Sequence, residues 1–235
     1  MPDATSELFW HFLPDDRRMQ FRPHTLVEAG GTYLAEGSLL LCGNGLHASR
    51  YALDALRYAP GDVVCRVHLG MERQVSSDKL CARTRTVVWL ADAHAVLHEF
   101  ACRIAEQTLA RYGPEDRLTA AIAAKRAWLA GTIDDLALDQ ARWDAYSAVR
   151  ENGAPRDVAL MASRAAGRTL GNAVAWATSR MTPLGRSTVA WAEMNVLLTD
   201  LLLTLAPADA TSGRAPAGTP DTLAMTHATY GGTNA

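Results

Sequence analysis

The chain is poor in lysine and carries little net charge. Of its 23 basic residues only Lys79 and Lys125 are lysine, and 25 acidic residues give a net charge of −2. This balance excludes the extended positively charged surface that general binding of duplex DNA needs. A local arginine patch is compatible with it. Hydrophobic residues make up 49% of the chain, which is typical of a globular protein with a large apolar core.

Two further absences narrow the class of protein. The cysteines show no CxxC spacing, so neither a zinc knuckle nor a thioredoxin-type motif is expected; they are Cys42, Cys65, Cys81 and Cys102. The start, "MPDATSELFWHFLPDDRR", has acidic residues where a signal peptide has basic ones, and the longest apolar run, "VLLTDLLLTLA", is too short to span a bilayer. We therefore expect free thiols, no membrane partner and a cytoplasmic location, in the host cytoplasm if a phage encodes the chain.

The composition changes near residue 90 and predicts an α+β protein. Before it, β-branched residues alternate with turn signals, and "LFWHFL", "DVVCRVHLG" and "RTRTVVWL" are typical of strands. "SRYALDALRYA" predicts one helix, with Ser49 as its N-cap. After it, alanine, leucine and arginine predict helices. We expect a small, mainly antiparallel sheet domain over 1–91, a helical-hairpin domain over 92–206 and a flexible tail over 207–235.

Tryptophans mark a candidate repeat in the helical half. "AWLAGTIDDLALDQARW" (127–143) and "AWATSRMTPLGRSTVAW" (175–191) both start with Ala–Trp and end with Trp. This pattern predicts two related helical hairpins whose indoles pack between helices. Chance similarity is the alternative, because there are only two copies and their identity is low.

Three segments resemble an uncharacterised domain family of phages and bacteria over about residues 8–110. They are "FWHFLPDDRRM", "LLCGNGLHASRYALDALRYAPGDVVCRVHLG" and "SDKLCARTRTVVWL", with a Cys–x–x–Gly–Leu–His–Ala signature, a Tyr–Ala–Pro–Gly turn and an Asp–Lys pair. The resemblance implies a phage or bacterial accessory protein. The alanine-rich half is similar to segments that follow this domain, including immunity-type modules, which implies a protein partner.

The order of strand, helix and apolar strand around "GLHAS" also resembles the ADP-ribosyltransferase fold. That resemblance implies a bound nucleotide, NAD or another, held by His11 on the first strand and by His47 or Ser49 on the second. The acidic residue of the family's last motif is missing, and Arg83 and Arg85 stand in its place. Arginine and histidine suit a phosphate-bearing substrate, as in the RNA phosphotransferase branch of that fold.

His47 is the candidate catalytic residue. Its small neighbours let a ligand approach, and an imidazole suits acid–base chemistry or phosphate binding. The alternative is a buried histidine that bonds a turn carbonyl. Cys42 is a weaker candidate nucleophile, and His94 with His98 lacks the HExxH pattern of a metal site, so we expect no metal.

Cations near His47 in the sequence are the candidate substrate-binding residues. Arg66 and His68 share one face of a strand, which either lines a cleft or faces solvent. Lys79 and Arg85 suit anion binding, with a loop salt bridge to Asp78 as the alternative for Lys79. The predicted binding set is His11, Ser49, Arg66, His68, Lys79 and Arg85.

Two functions follow as hypotheses. In the first, the protein binds or modifies a nucleotide or a nucleic-acid phosphate in a hollow shared by His47, Arg66 and His68. In the second, it is a non-catalytic inhibitor or immunity-type module that binds a protein partner through its helical half.

Overall fold

The computed structural model describes residues 7–21, 24–113, 115–151, 162–168 and 189–208. The strands in this part of the chain are β1 (Phe9–Leu13), β2 (Thr32–Leu34), β3 (Leu46–Ala48), β4 (Val63–Leu69), β5 (Arg73–Val75), β6 (Leu80–Ala82) and β7 (Thr84–Asp92). The helices are α1 (Ala52–Leu56), α2 (His94–Tyr112), α3 (Asp116–Leu129), α4 (Asp135–Glu151) and α5 (Val189–Leu203). Antiparallel strands followed by helices confirm the α+β class.

The strands close into a ring. One sheet has the order β1–β4–β7–β2 and the other the order β3–β6–β5, with antiparallel pairs throughout. Residue 83 alone separates β6 from β7, so the second sheet continues the first. Ser49, just after β3, exchanges two backbone hydrogen bonds of 2.8 Å with Trp10 of β1. Hydrogen-bonded pairs thus join β1 to β4, β4 to β7 and β6 to β3, the chain itself joins β6 to β7, and the Trp10–Ser49 bridge leads back to β1.

Side-chain alternation gives the ring an inner and an outer face. The inner face is an apolar cluster drawn from several strands, with Phe9, Val67 and Val87 as members that are at most 1% exposed. The outer face is covered by helices α1, α2 and α5, which pack on Trp10 and Trp89. Because both faces are covered, the middle strands are buried on both sides.

Helices α3 and α4 pack on each other and on α2 around small side chains. Their shared core includes Ala121, Ile122, Leu138 and Ala145. Glu115 caps α3 by accepting a hydrogen bond of 2.8 Å from the backbone N–H three residues on. No helix of the described residues is long and apolar enough to cross a membrane.

Two local predictions are wrong. Helix α1 follows Tyr51 and has no side-chain cap, because the backbone of Ser49 belongs to the strand ring. In the first tryptophan segment Trp128 is partly buried and donates to Asp135 at 2.8 Å, but Trp143 is 64% exposed rather than packed between helices. Most of the second segment, and residues 209–235 of the tail predicted over 207–235, lie outside the described residues.

Candidate functional site

Five polar residues from three separate segments meet on one surface beside β3. They are Cys42 and His47 from the "CGNGLHAS" segment, Tyr58 from "RYAPG", and Asp78 and Lys79 from "SDK". We call this set the His47 surface. The residues that carry the sequence resemblance are therefore neighbours in space.

The loop before β3 brings Cys42 to His47. Cys42 is exposed and has a φ of 69°, a left-handed conformation that is uncommon for a non-glycine residue. Its backbone N–H donates to Nε2 of His47 at 3.3 Å. Gly45 has a φ of 139°, and a Cβ on it would lie 2.7 Å from Leu39 and 3.0 Å from the sulfur of Cys81. The loop folds back closely enough on β6 that this position takes a glycine.

Lys79 and Tyr58 form the exposed part of the His47 surface. The Lys79 ammonium lies 4.4 Å from the centre of the Tyr58 ring, and Tyr58 is 48% exposed. The Tyr58 hydroxyl donates to Asp78, and this hydrogen bond raises the pKa of Tyr58. A hydrogen bond with the Cys42 thiol raises the pKa of Lys79, so Lys79 stays charged at neutral pH.

Arg85 places a buried cation directly behind His47. It lies opposite Leu69 in register, on the inner face of the ring, and is 3% exposed. One guanidinium nitrogen, Nη1, donates to the His47 carbonyl at 2.9 Å, while Nε has no hydrogen-bond partner. In the described part of the chain no carboxylate lies within 4.0 Å of the guanidinium group. Burial lowers the pKa of Arg85 to about 10, so the side chain keeps its charge at neutral pH.

The charge of Arg85 acts on two imidazoles. His11 lies opposite Cys65 on the inner face, and burial, followed by the charges of Arg85 and His47, holds its pKa well below the ordinary value. Burial and the charge of Lys79 lower the pKa of His47, and Arg85 lowers it further. Both rings are neutral at pH 7, so each offers one N–H donor and one acceptor.

The structure does not bring Arg66, His68 and Ser49 to this surface. Arg66 lies in register with Trp10, on the outer face of the ring, 4.1 Å from that indole and 6% exposed. His68 shares this face, and its Nδ1 lies 3.1 Å from the Glu7 carbonyl. Ser49 is 2% exposed beside Trp10. Trp10 and Glu7 therefore surround Arg66, His68 and Ser49, whereas Cys42, Lys79 and Arg85 are the neighbours of His47.

Sequence reasoning missed two members of the site. Tyr58 lies in "RYAPG" and Asp78 in "SDK", but neither the period of a strand nor that of a helix links these residues to His47. Arg83, considered as an anion binder, is instead held by Glu72 through two hydrogen bonds of 2.8 and 2.6 Å. Among the described residues, no group of three or more histidines, cysteines and acids could hold a metal ion.

These features define an α+β domain whose ring of antiparallel strands carries a compact basic surface on one side. Residues 15–99 match the family model of a domain of unknown function, DUF7666. That range contains β2 to β7 and all five residues of the His47 surface. Comparison with curated proteins gives no match, and comparison with solved structures gives none either.

Proposed function

We propose that the His47 surface binds a phosphate-bearing ligand, a nucleotide or a nucleic-acid phosphate. The observation that carries this proposal is the charge of Arg85. A guanidinium that is 3% exposed, with an unpartnered Nε and no paired carboxylate in the described residues, is costly to bury by itself. An anion bound nearby offsets that cost.

The exposed charges support the same ligand. Lys79 and Arg57 are cations at this surface, and Asp78 is the carboxylate that contacts both the Tyr58 hydroxyl and, at 3.9 Å, Arg57. Together with Arg85 the surface has an excess of positive charge. Ammonium and guanidinium groups form strong, charge-assisted hydrogen bonds with phosphate oxygens.

Tyr58 supports a nucleotide rather than inorganic phosphate. Its ring is 48% exposed and lies beside the Lys79 ammonium. Nucleobases stack on exposed aromatic rings, at about 1–3 kcal/mol per base. A base on Tyr58 would leave the phosphate near Lys79.

His47 is the residue we assign to proton transfer in any reaction at this surface. Its pKa is lowered, so the ring is neutral at pH 7, and it would take up a proton at Nε2 in place of the hydrogen bond from the Cys42 N–H. The ADP-ribosyltransferase resemblance adds NAD as a candidate, although Ser49, one of its two candidates on the second strand, is 2% exposed beside Trp10. Lys79 is the substrate-binding residue of this proposal, Arg85 adds its charge from behind His47, and His11 lies on the inner face of the ring.

Calorimetric titration tests the proposal. ATP, NAD and cyclic AMP are titrated at low salt into the full chain and into Lys79→Met and His47→Gln. A hydrogen bond to a charged group contributes about 1.5–3 kcal/mol, so Lys79→Met should weaken binding at least about tenfold. Arg103→Met, on the surface of α2, is the matched control and should bind as the wild type does. No heat with any nucleotide at millimolar concentration, or equal binding by Lys79→Met, refutes the proposal.

A second candidate, binding of a protein partner through the helical half, is favoured by one face of α4. Leu136, Trp143 and Tyr146 are 78%, 64% and 41% exposed, and the last two rings contact each other at 5.9 Å. Exposed tryptophan and tyrosine are enriched at protein interfaces. A partner that binds the full chain and loses affinity at least tenfold for Trp143→Ser supports this candidate. Equal affinity of the partner for the wild type and for Trp143→Ser contradicts this candidate.

A further inference from the structure

A second polar cluster lies inside the helical half, away from the His47 surface. His98 of α2 and Lys125 of α3 are both 0% exposed. The Lys125 ammonium lies 3.9 Å from the centre of the Trp128 ring and donates to the Gly167 carbonyl at 2.9 Å. The His98 ring meets the Trp128 ring edge to face at 6.3 Å. The indole, the imidazole and the ammonium therefore belong to one buried cluster.

The hydrogen-bonding capacity of this cluster is unfilled. Neither ring nitrogen of His98 has a hydrogen-bond partner within the described ranges. Lys125 has three N–H donors, of which Gly167 accepts one, and it forms no salt bridge with a described carboxylate. Fully buried polar groups almost always have partners, and each exception needs a physical explanation such as a bound ion.

We propose that His98 and Lys125 bind a small monocarboxylate anion. Its two oxygens match an ammonium and an imidazole N–H, which are the donors that this cluster offers. The positive charge of Arg142 also acts on Lys125, so the surroundings favour an anion over a cation. The adjoining core of α2 and α3 carries the larger Leu118 and Ile122 beside its alanines and Cys102, so the proposed anion is a small one.

His94 places the cluster one side chain away from solvent. Its side chain is 45% exposed, and its ring lies 4.6 Å from the His98 ring, centre to centre. On its other side, Nδ1 of His94 lies 2.8 Å from Asp62, just before β4. A rotation of the His94 side chain would therefore give a small solute access to His98.

The pKa values agree with this assignment. Burial lowers the pKa of Lys125 to about 8 and that of His98 to about 3, with the charge of Lys125 as a further cause for His98. A bound carboxylate would raise both again, because an opposite charge favours the protonated form of each group. Near pH 8, where Lys125 is about half protonated, binding should therefore be accompanied by proton uptake.

Thermal unfolding of the full chain in sodium acetate at pH 7, with sodium chloride at the same ionic strength as reference, tests the proposal. At an acetate concentration of about ten times Kd, the Tm of the wild type should rise by about 4 °C. Lys125→Met should lose this rise. Lys79→Met, which changes the other lysine of the chain, should keep it, so this result is independent of the phosphate site.

Direct binding gives a second readout. The carboxyl signal of ¹³C-labelled acetate should broaden saturably with the wild type and not with His98→Leu. This measurement also decides the case if Lys125→Met does not fold. The proposal is overturned if Lys125→Met and His98→Leu show an acetate effect of the same size as the wild type. It is also overturned if acetate, formate and propionate all have no effect on the wild type.

Discussion

Replacing His98 by leucine should make the free energy of unfolding less sensitive to acid. In the native state the ring is 0% exposed and faces Lys125 and Trp128 of α3 and His94 of its own helix. Burial, with the charges of Lys125 and His94, lowers its pKa to about 3. In the unfolded chain an ordinary histidine has a pKa of about 6.5.

The sign of the effect follows from proton binding. Below pH 6.5 the unfolded chain takes up a proton at position 98 that the native protein does not. Stability therefore falls as the pH decreases from about 6.5 towards 3. Each pH unit in this window lowers the free energy of unfolding by about 1.4 kcal/mol. Through His98 the wild type should therefore lose about 2 kcal/mol of stability at pH 5 relative to pH 7.5.

Urea denaturation at pH 7.5 and pH 5.0 measures the effect. His98→Leu should lose about 2 kcal/mol less between these two pH values than the wild type does. Leu136→Ala is the control: Leu136 is 78% exposed and carries no titratable group, so the pH dependence of this variant should equal that of the wild type. Equal losses at pH 5 for His98→Leu and the wild type would refute the reasoning.

Three further predictions concern the core and the site. Because burial lowers the pKa of Lys125 to about 8, the free energy of unfolding of the wild type should rise by about 2 kcal/mol between pH 7.5 and pH 10. Urea denaturation should show a smaller rise in Lys125→Met. Leu198→Ala should cost about 3 kcal/mol in the same assay, because Leu198 is 0% exposed in the core that joins α5 to the sheet; a loss below 1 kcal/mol contradicts that packing. Gly45→Ala should cost about 2 kcal/mol and weaken nucleotide binding, whereas an unchanged Tm would contradict the strain assigned to its φ of 139°.

The sequence predicted the elements well where one residue period dominates. The alternation in "DVVCRVHLG" predicted β4, and Val63, Cys65, Val67 and Leu69 are buried as expected. The α2 helix ends at Tyr112, and Gly113, a residue type that commonly follows the last turn of a helix, is its C-cap. These signals are local, so a single chain segment contains them.

The position of Arg66 could not be predicted in the same way. Alternation placed it opposite the core and therefore in a cleft or in solvent. Helices cover the outer face of the sheet, and Arg66 is buried against Trp10 there. Which face a helix covers depends on tertiary contacts that strand alternation does not encode.

The two polar clusters show the same limit. His47, Tyr58 and Lys79 are separated by 11 and 21 residues. The pairing of β3 with β6 brings His47 to Lys79, and the contacts of Tyr58 with Asp78 and Lys79 add the ring. His98 and Lys125 are 27 residues apart and meet through the packing of α2 against α3. The sequence indicated His47 as a candidate, but the pairing of strands decides which residues surround it.

Histidine-ring NMR during a nucleotide titration tests the central claim most directly. The chain has seven histidines, and His47 is the one on the surface proposed to bind the ligand. Saturating ATP should raise the pKa of His47, because a nearby anion favours the protonated ring. The ring signals of the exposed His24 should be the same with and without ATP. An unchanged His47 titration in the presence of saturating ATP would contradict the account.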